Sequence, residues 1–291
     1  MSWSTGIKTV LLLLWLAAVS WLIRYEAFPH RFEDTVRGYP ALARQMPAIR
    51  DTWMKVLYDG DHVGYVNSSI EIEEEEGRER VVMRTNLQIR LRMGNGIDTL
   101  QFDSEVRLSS RQELLGSESD FSFGRLKGAA RLEPMKGEGR YRLVTSLNGM
   151  EWAREVRLPR DAILASPLLD AGLRNIRPGR TLRVRTIDPL SPGGEPRTLE
   201  ITAGPAERRQ PPGYEEPVEV TRLTMRMGEI EFQSLVDEYG RIVWQETPFG
   251  LLLVRTEPRL AMRVPSDNAV SPADLMSASP FSSFNPMPGV P

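Results

Sequence analysis

The sequence predicts a mainly β protein: one large curved antiparallel sheet, open like half a barrel, with a short helix and an N-terminal transmembrane helix. Three observations predict it. Residues 81–93 alternate apolar and polar with period two, the pattern of a strand with one buried and one wet face. Asp59-Gly60 and Asn148-Gly149 stand between strand-like runs, where such pairs close two-residue hairpins. Residues 10–23 form a single apolar run unlike anything else in the chain.

That run contains fourteen apolar or small residues, which span roughly 21 Å as a helix. A bilayer core takes about 20 residues, with about 17 as the lower limit. Counting from Ile7 reaches that limit if Lys8 snorkels to the surface. Trp3, Trp21 and Tyr25 sit at interfacial positions. A cleaved signal peptide is the rival, with Ala18-Val19-Ser20 as the small-residue site. Trp21-Leu22-Ile23 continues the run through that cut and favours an uncleaved anchor over residues 1–25. Arg24, Arg31, Arg37, Arg44 and Arg50 follow the run, and by the positive-inside rule they point the following domain into the cytoplasm.

Residues 26–52 read as a juxtamembrane connector, and residues 53–265 as the β domain. In the domain, 53–58 and 63–72 flank the first turn, and 81–93 is the cleanest strand. Phe102, Val106 and Leu108 continue its alternation. Further strands are expected at 112–123, 140–147, 150–157, 182–187, 197–202, 218–227, 229–236, 241–247 and 251–256. Ser166-Pro167 opens the expected short helix, with Pro in its first turn. Neighbouring hairpins without strand–helix alternation argue for antiparallel pairing. Residues 266–291 hold five Pro, six Ser and two acids with no apolar period, the composition of a disordered tail.

Composition narrows the chemistry. There are 37 Lys and Arg against 39 Asp and Glu, so no basic excess points to nucleic acid. Cysteine is absent, which removes disulfides, thiolate metal sites, a cysteine nucleophile and N-terminal lipidation on cysteine. The two histidines, His30 and His62, have no partners at a catalytic or metal-ligand spacing. No nucleophile elbow, phosphate loop or zinc-protease helix motif occurs. Catalytic residues, metal ligands and cofactors are therefore expected to be none. The acidic run 71–76 reads as a solvated hairpin tip, and Arg84, Arg90, Arg92, Arg183 and Arg185 as cross-strand partners of acids.

The apolar faces leave two readings open. Met83, Ile89, Met93, Phe102, Phe121, Phe123, Met225, Met227, Phe232 and Trp244 either fill a closed core or line an open groove for an acyl chain or apolar peptide.

Trp53-Met-Lys-Val-Leu-Tyr-Asp-Gly-Asp-His-Val-Gly-Tyr65 resembles the opening strand pair of uncharacterised bacterial envelope proteins, with its Gly-x-x-x-Gly-Tyr hairpin at Gly60 to Tyr65. The stretch from Gln233 to Pro248 is similar to their closing hairpin. Such domains look like the curved sheets of the LolA/LolB lipoprotein-carrier type. The resemblance implies an extracytoplasmic domain, so the expected location is the bacterial inner membrane, single-pass, with a periplasmic β domain. The expected function is a membrane-anchored binding protein that holds a lipophilic chain or apolar partner segment, with the membrane as partner through residues 7–23. The alternative is a non-enzymatic scaffold subunit of an envelope export or assembly complex, with no small ligand.

Overall fold

A computed structural model describes residues 34–36, 39 and 50–278, apart from 76, 95, 138, 161, 165–177, 188–196, 213 and 229. Its strands are β1 (Asp34–Val36), β2 (Arg50–Tyr58), β3 (Asp61–Glu75), β4 (Arg78–Met93), β5 (Gly96–Ser109), β6 (Leu114–Phe123), β7 (Leu126–Pro134) and β8 (Arg140–Leu147). They continue as β9 (Met150–Arg157), β10 (Ala162–Leu164), β11 (Thr181–Ile187), β12 (Arg197–Arg209), β13 (Val218–Met227), β14 (Ile230–Asp237), β15 (Ile242–Glu246) and β16 (Leu252–Arg255). Two short helices follow, α1 (Pro258–Met262) and α2 (Pro272–Ala278).

All sixteen strands join one sheet. Its path runs β1-β11-β12-β13-β14-β15-β16-β2-β3-β4-β5-β6-β7-β8-β9, with β10 also on β11. Neighbours in sequence mostly pair antiparallel, because short turns return the chain beside itself. Both two-residue turns form where the sequence places them. Asp59 and Gly60 have φ of 48° and 86°, and Asn148 and Gly149 have 49° and 85°. Positive φ at both positions is the type I′ geometry that matches strand twist.

The sheet curls. One buried cluster joins Met54, Val66, Ile89 and Leu108 from the β2–β5 side to Val184, Ile201, Leu223 and Ile242 from the β11–β15 side. A second joins Leu132 and Leu143 of β7 and β8 to Leu164 of β10 and Ile187 of β11. The two ends of the sheet are thus packed together by side chains, with no ladder between them among the described residues. A third, small cluster (Val220, Leu235 and Val243) gathers under Tyr214 and Trp244.

The C-terminal segment covers one overhang. Antiparallel pairing of β3 with β4 ends at Gly64 and Ile89, so the last residues of β4 are left without a partner on β3. Val270 fills that edge: its N–H donates to the Arg90 carbonyl at 3.1 Å, and Arg92 N–H donates to the Val270 carbonyl at 2.8 Å. Arg90 and Arg92 side chains reach the carbonyls of Pro265 and Asp267. Val270 is buried, and Leu275 of α2 packs against the main core.

The outward face is an ion-pair lattice. Arg84 meets Glu71, Glu73 and Glu105 at 2.6–3.0 Å, and Arg183 meets Glu200. Arg131 and Glu118, Arg140 and Glu155, and Arg222 and Glu207 repeat the arrangement across other strand pairs. Arg84 and Arg183 are thus matched to acids of the same sheet, whereas Arg90 and Arg92, expected to be matched in the same way, reach backbone carbonyls of the C-terminal segment.

The expected architecture is corrected at three points. The sheet is mixed, because β1 and β10 run parallel to β11. The described helices lie at the C-terminal end, while the helix expected from Ser166 falls outside the described residues. No helix among the described residues is long and apolar enough to cross a membrane. The expected transmembrane segment, residues 7–23 within 1–25, also lies outside the described residues.

Candidate functional site

The seam where the sheet ends meet holds a cavity of about 430 Å³. β1 and β10 share one edge of β11, β1 along Leu182 to Val184 and β10 along Arg185 to Ile187. Tyr39 follows β1 and is buried against them. Its hydroxyl accepts the Leu164 N–H at 3.0 Å, a bond that spans 125 residues of sequence. From the other side, the Tyr141 hydroxyl of β8 donates to the Leu114 carbonyl at 3.0 Å. Leu158, Ile163 and Ile187 supply apolar wall, and Arg111, Glu113 and Arg160 also line the cavity.

The electrostatics favour a structural role for both phenols. Burial pushes Tyr39 far above the ordinary tyrosine range, with the Leu164 bond opposing and Tyr141 adding to the rise. Burial also raises Tyr141, helped by the charge of Glu113. Each ring therefore stays neutral at physiological pH, and each hydroxyl is committed to a backbone group. Neither is poised as a base.

Elsewhere, His62 of β3 is half-buried, and its Nε2 has no hydrogen-bond partner among the described residues. Burial lowers its basicity first. Lys55 and Arg90 lower it further, while backbone groups of Gly64 and Ala261 act against the shift. Among the described residues, no three His, Asp or Glu side chains converge as a metal site.

The ten residues expected on the apolar face are dispersed. Ile89 and Met225 lie in the main core, and Met83, Phe123, Met227 and Phe232 pack against it partly buried. Trp244 belongs to the small outer cluster. Phe102 sits opposite Phe121, and the Phe121 ring lies over Gly128 where a Cβ would otherwise be. Met93 is 45% exposed. None of the ten lines the seam cavity.

Three features were not anticipated from sequence: the Tyr39 anchor, the Val270 plug and an edge of β9 that no described residue pairs. Tyr39 has a weak signal, an aromatic inside a polar connector just before Pro40. The Val270 signal is weaker still, one β-branched residue in a Ser- and Pro-rich stretch.

The expected function is corrected by these placements. An inner-membrane, single-pass carrier with the membrane and an acyl chain as partners needs a spanning helix and an apolar ligand site. The described residues hold no helix able to span, and the seam cavity is lined by Arg111, Glu113 and Arg160 as well as by apolar side chains.

Comparison with known proteins gives only distant structural likeness. No family model matches the chain, and no curated protein matches it. A β-barrel-like protein from Brucella abortus, a domain of unknown function DUF1849, aligns at 6% identity over 72% of this chain and 95% of its own, with TM-score 0.47. A DUF1089-family protein from Pseudomonas aeruginosa aligns at 16% identity over 60% of this chain and 87% of its own, with TM-score 0.32. Nothing in these comparisons ties the chain to the LolA/LolB type. The chain is a mainly antiparallel β-sheet domain, and its resemblance to these two bacterial β-sheet proteins is loose.

Proposed function

We propose that this chain is a non-enzymatic structural subunit, a scaffold domain that works by protein contact and takes no small ligand. The supporting observation is how the sheet uses its side chains. Met54, Leu108, Leu199, Ile201, Leu223, Met225 and Ile242 are almost wholly buried in one continuous interior, and Val270 closes an overhang beside it. The cavity phenols are spent on Leu164 and Leu114. What the fold leaves outward is backbone at a strand edge and a charged, cross-paired surface.

The test uses the full chain expressed in bacterial cells. Native mass spectrometry is expected to give the polypeptide mass with no stoichiometric small molecule. A photo-crosslinking residue at exposed Trp152 or Tyr239 is expected to give discrete protein adducts in cells. A bound small molecule at one equivalent, or turnover lost on mutation of a cavity residue, overturns the proposal.

A further inference from the structure

β9 ends the sheet on its side, and no described residue pairs with its outer edge. Every residue of it but Val156 is exposed. A free edge of this length offers unpaired N–H and C=O groups to another strand.

The turn before it fixes which groups point outward. Asn148-Gly149 makes a two-residue hairpin, so Leu147 and Met150 form the hydrogen-bonded pair beside it. The alternation then directs the backbone of Met150, Trp152, Arg154 and Val156 to β8. The backbone groups of Glu151, Ala153, Glu155 and Arg157 face away.

A two-fold axis normal to the sheet pairs residues on the same face. Centred on Ala153, it sets Glu151 against Glu155 twice. Centred on Arg154, it sets Glu151 opposite Arg157 twice and Trp152 opposite Val156 twice. Opposite charges and aromatic–β-branched pairs favour a register, and like charges oppose it. Glu155, set against Ala153, is already held by Arg140 through two bonds of 2.6 and 2.8 Å. The two Arg154 side chains meet at the axis as this register's one like-charged pair, against the two Glu151–Glu155 pairs of the alternative. Each lies diagonal to the other copy's Trp152, whose ring face attracts a guanidinium.

We propose that two copies of this chain join edge to edge through β9, antiparallel, with the two-fold at Arg154. The proposal rests on the scaffold reading and names its first partner. Two short edges bury less than the about 1,200 Å² of a standard interface, so the dimer is concentration-dependent.

The chain has no cysteine, which makes the register directly testable. In the proposed dimer Arg154→Cys faces its own copy in a non-hydrogen-bonded pair, with Cα atoms about 4.5 Å apart, within disulfide reach. Oxidation of Arg154→Cys is expected to give a covalent dimer, and oxidation of Glu151→Cys is not. By sedimentation equilibrium the wild type is expected to show a monomer–dimer equilibrium. Ala153→Pro removes an outward N–H while sparing the bonds to β8, and is expected to weaken the dimer at least tenfold. Glu151→Arg is expected to weaken it as well, and adding Arg157→Glu to restore it.

A wild type that stays monomeric across the whole concentration series overturns the proposal, as does efficient crosslinking at Glu151→Cys but not at Arg154→Cys. Slow amide exchange along β9 in a monomer also overturns it, since the chain's own segments then cover the edge. A monomer that still gives discrete cellular adducts sinks the dimer and leaves the scaffold reading standing. A dimer that carries one equivalent of a small molecule does the reverse.

Discussion

The two ends of this sheet solve the edge problem in opposite ways. At one end, β11 is covered on its outer side by β1 and β10, laid end to end, and Tyr39 bonds to β10 through Leu164. At the other end, β9 has no partner on its outer edge among the described residues and places Met150 and Trp152, 62% and 51% exposed, beside charged residues. Coverage costs two segments brought from distant parts of the chain. Bareness costs nothing in folding but leaves a strand able to pair. The contrast shows that a sheet with two ends in contact can still end in two blunt three-residue strands on one side and in a longer strand open to pairing on the other.

The largest expected effect breaks the covered end. Val184 of β11 is 1% exposed in the main core. Val184→Asp puts an unpaired charge there and is expected to cost more than about 4 kcal/mol, enough to prevent folding. Trp152→Asp, on the bare strand, is expected to shift monomer stability by less than about 0.5 kcal/mol. Urea denaturation with far-ultraviolet circular dichroism reads both. Similar losses at the two sites would erase the distinction between the edges.

Tyr39→Phe is the next test. It keeps the ring and removes the hydroxyl that accepts the Leu164 N–H, leaving a buried donor unsatisfied. The expected cost is about 1–3 kcal/mol. Amide exchange at Leu164 should rise by more than exchange in β13, if the bond is local to the seam.

Beneath its exposed surface the bare end is tightly fitted at one point. A Cβ at Gly128 would fall on the Phe121 ring across the strand pair. Gly128→Ala forces that ring to swing, with an expected cost of about 1–2 kcal/mol, because Phe121 is partly exposed and has room to move. An unchanged midpoint would mean that the ring is not held over the glycine.

These sites differ in how readable they are from sequence. The hairpins at Asp59-Gly60 and Asn148-Gly149 are local, since positive φ at two successive positions needs Asp, Asn or Gly. The alternation in β4 is likewise local, and it identifies Ile89 and Leu91 as residues of one face. What lies against that face is not local. β1 and β10 are three residues each, too short for a period to register. Val270 reaches Leu91 from far along the chain, out of a stretch whose composition resembles a tail. The same gap explains why an apolar face is read equally well as a groove or a core. The alternation shows which side is apolar, whereas only the curl and the C-terminal segment show what fills it.

A smaller effect concerns a third covered place, the turn end of the β2–β3 hairpin under α1. A Cβ at Gly64 would meet the Gln88 carbonyl of β4, so the strands approach closely there, and His62 is held two residues away. Its basicity is lowered by burial first and by Lys55 and Arg90 next, against the opposing pull of Gly64 and Ala261. The folded state therefore binds the proton less readily than the unfolded chain, whose histidine titrates near about 6.5. The linked stabilisation is full above that value and is lost as pH falls below it, because the unfolded state then takes up the proton first. His62→Asn removes the titration while keeping a polar side chain of similar reach. Between neutral pH and pH values below 6, the wild type is expected to lose more stability than this variant, with urea midpoints measured on both. The bare strand provides the control: Trp152→Ala should leave the slope of the pH dependence unchanged. Equal slopes in the wild type and His62→Asn would show that α1 does not shield the imidazole, and that the hairpin end is as open to solvent as β9.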